Sequence, residues 1–136
     1  MIDKEIIKIA SNTENHGKLD NHTHFSQMKN SICGDKMKIY LIVKNEKIEN
    51  FKYECESCIY CQASVSLLSR KAKNKSVEKI KKFAGQVKNC FEQNKESFDS
   101  EWKEFEKIMT KNNISRKECL LLPVNTALDA LNKKAL

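Results

Sequence analysis

The 136 residues fill about one domain, and 40% apolar with 32% charged residues, three Gly and one Pro exclude collagen-like and Pro/Gly-rich disordered chains. The longest apolar runs, Ile39 to Val43 and Leu120 to Val124, fall far short of the ~20 residues that span a bilayer. The charged start, Met1 to Ala10, has no signal-peptide core, so the chain reads as cytoplasmic, with no membrane partner. The net charge of +7 rests on 23 Lys and only two Arg, Arg70 and Arg116. A surface so poor in the planar Arg fork does not read as a nucleic-acid binder. The excess is local: from Arg70 to Lys95, nine basic residues face only Glu78 and Glu92. That stretch reads as a solvated helix face or as a docking face for an acidic partner.

In chain order, Ile2 to Ala10 reads as a short helix with Ile2, Ile6 and Ile9 on one side. Ser11 to Lys36 is polar loop, with a short edge strand around Thr23 to Met28. Met37, Ile39, Leu41 and Val43 alternate with neighbours that are mostly polar, which predicts a strand with one buried face. Asn45 turns the chain, and Ile48 to Glu54 returns with Phe51 and Tyr53 on one face. After Cys61 the period lengthens to that of a helix, running to about Lys73. Ser76 caps the next helix, striped by Val77, Ile80, Phe83, Ala84, Val87 and Phe91. Ser100 is expected to cap a third, with Trp102, Phe105 and Met109 on one face. The last carries Val124, Ala127, Leu128, Leu131 and Ala135. Pro123 is tolerated only in a first turn, so this helix is expected to start near Leu120 or Leu121. A capping box of Ser115 and Glu118 would start it one turn earlier. Strands first and helices after predict one α+β domain over 1–136, a small antiparallel β-sheet with helices packed on one face.

Six cysteines without a secretory signal point to metal or sulfur chemistry rather than disulfides. Cys33-Gly34-Asp35 precedes a strand, and Gly34 permits a tight loop that aims a thiolate and a carboxylate at one point. Cys58 follows the return strand, and Cys119 sits at or beside a helix N-terminus, where thiolate is favoured. Cys33, Asp35, Cys58 and Cys119 are therefore candidate ligands that converge on one end of the hairpin. Three thiolates and an oxygen suit a tetrahedral zinc or an iron–sulfur cluster. Cys90 lies on an apolar stripe and reads as core. Cys61 reads as a small first-turn residue or an extra ligand or sulfur relay, and Cys55 as a buried thiol or a ligand. His22 and His24 read as a surface pair before a metal pair.

Asn30-Ser31-Ile32-Cys33-Gly34-Asp35 resembles the N-P-x-C-G-D motif of the NifU N-terminal, IscU and SufU family. Cys58 followed by Ala63-Ser64-Val65-Ser66 resembles its G-C-x-x-x-x-A-S-x-S motif, and Arg116 to Cys119 with Leu122 its R-x-x-C-x-x-L. Asn15 to Leu19 resembles its early N-x-G-x-L. The resemblance runs from about Ile6 to Leu131 and implies the same α+β fold. It further implies iron–sulfur cluster assembly, with sulfur received from a pyridoxal-phosphate cysteine desulfurase (SufS-like or IscS-like) and downstream Suf assembly proteins as further partners. Ser31 stands for the motif Pro, and Glu56-Ser57 for the Gly before Cys58. The 60 residues between Cys58 and Cys119 are SufU-like in length. Glu118 replaces the scaffold-type His, and Asn112 to Arg116 replaces the chaperone-docking L-P-P-V-K.

Three functions remain in competition. The first is a scaffold holding metal or nascent cluster on Cys33, Cys58 and Cys119, with Asp35 as a labile ligand. The second, enzyme-like, is a zinc-dependent sulfurtransferase, with Cys119 as persulfide acceptor. The third is a structural zinc adaptor. The expected cofactor is zinc, iron or a 2Fe–2S cluster.

Overall fold

The structure is a computed structural model that describes residues 3–93 and 98–133. Its elements follow as α1 (Lys4–Ala10), β1 (His24–Lys29), β2 (Lys36–Lys44), β3 (Lys47–Glu56), α2 (Ile59–Ala72), α3 (Val77–Gln93), two 3₁₀ segments (Ser100–Lys107 and Lys111–Arg116) and α4 (Lys117–Asn132). Ile2, Lys95 and Ala135 lie outside the described residues. The strands form one antiparallel sheet in the order β1-β2-β3. Asn45 and Glu46, at φ 51° and 62°, make the tight turn between β2 and β3; left-handed φ at both central residues matches the twist of a two-residue hairpin.

Met37, Ile39 and Leu41 of β2, with Phe51 and Tyr53 of β3, are buried on one sheet face. α4 packs over β1 and β2, and α2 over β3. This is the expected sheet with helices on one face. On the other face Tyr40 is covered by Phe25 and His22, with ring centroids 5.0 and 5.6 Å away, and its hydroxyl donates to Glu54 at 2.7 Å. His22 is thus committed to packing, and His24 to Thr23, with Nδ1 and Oγ1 2.8 Å apart.

The small residues of α2 have a physical reason. Ala63, Ser64 and Ser66 are fully buried where α1 and α4 approach. Ser64 Oγ donates to the Leu120 carbonyl at 2.7 Å, and Ser66 Oγ to the Asn12 carbonyl at 2.6 Å. Larger side chains would hold these helices apart.

Two helix expectations need correction. The segment after Ser100 is 3₁₀, not α, and Asp99 rather than Ser100 stands at its N-cap. Its apolar residues Trp102, Phe105 and Ile108 recur every third position and are all buried, which is the period of a 3₁₀ turn. Trp102 stacks on Phe83 of α3 with centroids 4.2 Å apart and planes 19° apart. The same segment supplies acids to the basic stretch: Lys71 pairs with Glu104 at 2.7 Å, Lys79 with Glu101 at 3.4 Å and Lys82 with Asp99 at 3.7 Å.

The last helix begins at Lys117, so Pro123 lies inside it. The one-turn-earlier start is the observed one, although Arg116 occupies the N-cap without a side-chain cap. Proline there leaves only the Cys119 carbonyl without its usual helical donor, a single loss in the first turns. The preceding 3₁₀ segment leads straight into the helix, and Leu120, Leu121 and Leu122 gain burial from the longer start.

Trp102→Ala is expected to cost about 3–5 kcal/mol by removing a buried stacked ring, whereas Ile32→Ala, at a side chain 80% exposed, should stay within about 0.5 kcal/mol. Urea denaturation of both variants checks this, and equal costs would contradict the assigned packing.

Candidate metal centre

The residues between β1 and β2 must reverse the chain. Asn30 N–H donates to the Asp35 carbonyl at 2.8 Å, and Gly34 N–H to the Asn30 carbonyl at 2.7 Å. Asn30 Oδ1 accepts from Ile32 N–H at 2.9 Å. Gly34 has φ +77°, a region that a side chain resists. The closed loop leaves Cys33 exposed at its tip and turns Asp35 inward, only 6% exposed.

Two helix starts face this loop. Cys58 is the N-cap of α2, and Cys119 is the third residue of α4. Arg116, ahead of Cys119, lies over the Tyr60 ring of α2 with its guanidinium carbon 5.3 Å from the centroid. This contact, with the Ser64 bond to Leu120, ties the two helix starts together. The role of Tyr60 was missed in the sequence, because nothing local marks an aromatic as the seat of a distant Arg.

Sγ of Cys33 and of Cys119 are 3.3 Å apart. Ligand atoms of Cys33, Asp35 and Cys119 all lie within 4.8 Å of one another. Cys58 adjoins this group: its N–H donates to Asp35 Oδ1 at 3.1 Å, and its thiol is close enough to that of Cys119 to raise it. The second carboxylate oxygen, Asp35 Oδ2, is buried without a hydrogen-bond partner. The structure thus brings three of the four expected residues into one group and sets Cys58 at its edge.

Burial pushes the Cys119 thiol far up, and hydrogen bonds with Cys33 and Cys58 and their charge add to it. The expectation that the helix N-terminus by itself favours the thiolate is therefore corrected: desolvation and two neighbouring thiols outweigh a partial charge. A cation among the sulfurs reverses that balance, because coordinating thiols are deprotonated outright. Cys61, fully buried on the first turn of α2, is also pushed far up by burial, and half-buried Cys55 is raised by burial. Cys90 is buried on α3 and donates to the Met109 carbonyl at 3.1 Å, a core thiol as its stripe implied.

A sheet with helix starts and a loop converging on thiols and a buried carboxylate defines a small α+β domain with a candidate metal site. The model of the NifU-like N terminal domain matches residues 1–99, and the chain belongs to this family. Over 135 residues it is 30% identical to the iron-sulfur cluster assembly scaffold protein IscU of Thermotoga maritima, covering 98% of this chain and 94% of that protein. Two solved structures share the fold. A NifU-like protein (N-terminal) from Brucella abortus has a TM-score of 0.88 at 18% identity, over 95% of this chain and 90% of that one. An iron-sulfur cluster assembly scaffold candidate for the SUF system of Fervidobacterium islandicum has a TM-score of 0.84 at 25% identity, over 96% of both chains.

The metal-free, reduced protein should lose stability as the pH rises through the ordinary thiol range. Unfolded Cys61 and Cys119 ionise there near 9, while the folded thiols stay neutral. The folded state then binds more protons, and each thiol removes at most about 1.4 kcal/mol per pH unit. Urea midpoints between about pH 8 and 10 test this; Cys61→Ala should lessen the slope, and a flat profile would contradict the burial argument.

Proposed function

We propose that this chain is an iron–sulfur cluster assembly scaffold that receives sulfur from a cysteine desulfurase and holds metal or nascent cluster on Cys33, Cys58, Cys119 and Asp35. One observation carries the reading. Asp35 is a buried carboxylate with one oxygen held by the Cys58 N–H and the other bare, beside the Cys33 and Cys119 sulfurs. A buried acceptor left unsatisfied costs about 1–3 kcal/mol, and more when charged. A cation at that point satisfies it, and thiolates select zinc or iron over harder ions.

The family and the Thermotoga maritima scaffold relative support the same function. A bound zinc or iron supplies the positive charge that keeps the thiols ionised. The chain's own residues do the rest. Cys33, exposed at the loop tip, meets an incoming persulfide. Cys119, at 3.3 Å from it and buried, is the proposed resting acceptor by thiol–persulfide exchange. Asp35 is the weakest donor to a soft metal and eases its release.

The SufU-type reading, a zinc-dependent sulfurtransferase, is favoured by the 60 residues between Cys58 and Cys119 and by Glu118 where scaffolds carry His. The structural adaptor is disfavoured by the exposure of Cys33, since structural zinc sites are closed.

Asp35→Ala should slow the loss of bound iron or zinc to a chelator, and Cys58→Ser should speed it. Faster loss from Asp35→Ala would remove the release role. In persulfide mapping by alkylation and mass spectrometry, after incubation with a cysteine desulfurase and L-cysteine, Cys119 should exceed Cys90 by about tenfold or more. Label mainly on Cys90, or undiminished total label in Cys119→Ser, would show a different acceptor.

A further inference from the structure

The function proposed above uses only Cys58 of the C-x2-C-x2-C run from Cys55 to Cys61. Cys61 stands outside the group of Cys33, Asp35 and Cys119, and it is fully buried. Its place in the fold is specific. Cys58 is the N-cap of α2 and Cys61 the third residue of that helix. The Gln62 N–H donates to the Cys58 carbonyl at 3.0 Å, which closes the first helical turn around the pair. Residues three apart on such a turn are neighbours on one face, with α-carbons about 5 Å apart. That lies inside the roughly 4.4–6.8 Å that a disulfide spans.

The packing agrees with the spacing. Cys61 belongs to the hydrophobic core, and half-buried Cys58 packs against that core. The Cys58 side chain makes no hydrogen bond to the helix it caps, so its sulfur is not committed there. The buried Ser57 hydroxyl has no hydrogen-bond partner and lies close to Cys61; it is a donor for charge that develops on that sulfur. Cys55 has no such spacing, because it sits in β3 opposite Met37 of β2. On its other side the Cys58 thiol adjoins Cys119. Cys58 thus stands between the sulfur acceptor assigned above and a buried thiol outside the ligand group.

We propose that Cys58 and Cys61 form a dithiol that reduces the sulfur carried by this chain and releases it as sulfide. The step rests on the sulfur-carrying function proposed above and adds the reduction that function requires, since a cluster is built with sulfide and a persulfide carries sulfane sulfur. Cys58 Sγ takes the outer sulfur of a Cys119 persulfide, and Cys119 departs as a thiol with the Cys58 proton. Cys61 Sγ then attacks the Cys58 sulfur. The bond to the outer sulfur breaks as a Cys58–Cys61 disulfide forms. The outer sulfur leaves as hydrogen sulfide, with its own proton and the one Cys61 gives up. Two electrons pass from the two thiols to the sulfane sulfur, so one turnover needs no outside reductant. An external dithiol restores the pair by exchange. The disulfide keeps Cys58 out of the ligand group until then, so sulfur reduction precedes metal binding at Cys58.

The test uses the full chain, reduced and anaerobic, with a catalytic amount of cysteine desulfurase. L-cysteine is limited to one equivalent, so that no excess thiol reduces the persulfide. Sulfide is measured with bromobimane against the desulfurase alone, and disulfide and persulfide peptides are mapped by alkylation and mass spectrometry. The unmodified chain should give sulfide and a Cys58–Cys61 disulfide in equal amounts. Cys61→Ala should release several-fold less sulfide and retain persulfide on Cys119 or Cys58, while Cys55→Ala should match the unmodified chain. Disulfide mapping in the unmodified chain does not depend on how well Cys61→Ala folds. Persulfide without sulfide or disulfide would overturn the dithiol and leave the scaffold reading intact. Undiminished sulfide from folded Cys61→Ala, or a disulfide joining Cys58 to Cys119 or Cys55 to Cys61, would overturn the assigned pair. No persulfide, sulfide or disulfide on the chain would overturn the sulfur-carrying function as well.

Discussion

The hydrogen bond from Cys58 N–H to Asp35 Oδ1 is the constraint on which the site depends. It joins the residue before β2 to the N-cap of α2, fastening two ends that the pairing of Lys36 with Glu56 has already brought close. It also uses only one carboxylate oxygen. The other is buried without a partner, in surroundings where an unpaired acceptor is costly, and the carboxylate lies within 4.8 Å of two sulfurs. A buried acceptor without a partner thus lies in the same group as the Cys119 thiol, which burial and its neighbouring thiols push far up. A soft cation answers both at once.

The remainder of the fold keeps that point in place. Ser64 binds the Leu120 carbonyl, one residue beyond Cys119, and Ser66 binds the end of α1. Small residues let α2 lie close enough to both helices for these bonds to form. Arg116 over Tyr60 fixes the second connection between the helix starts. The aromatic cluster of Phe83, Phe98, Trp102 and Phe105 packs the 3₁₀ segment against α3, away from the site. It lets the long insertion between Cys58 and Cys119 fold without changing how the two cysteines meet.

Much of this was legible in the residues. Alternation from Met37 to Val43, the turn at Asn45 and the stripe of α3 all mark elements that local period and turn chemistry decide. The loop of Asn30 to Asp35 was legible because Gly34 needs a left-handed φ there, and no other residue type suits it as well. The convergence of Cys33, Asp35 and Cys119 was legible through motif order. Three features were not. The period around Trp102 misleads, since Trp102, Phe105 and Met109 fit an α-helical stripe until Ile108 is included. Pro123 is locally a steric stop, while the burial of Leu120 to Leu122 that extends the helix is a tertiary effect. The helix end beside Cys119 points to a thiolate, because desolvation by distant elements leaves no mark in the local sequence.

The most direct measurement of the central claim is X-ray absorption at the zinc edge on the full chain loaded with one equivalent of zinc. The account predicts three sulfur donors and one oxygen donor around the metal, with the oxygen assigned to Asp35 by its loss or replacement by water in Asp35→Ala. Four sulfur donors in the unmodified protein would mean that Cys55 or Cys61 displaces the carboxylate, and would contradict the account.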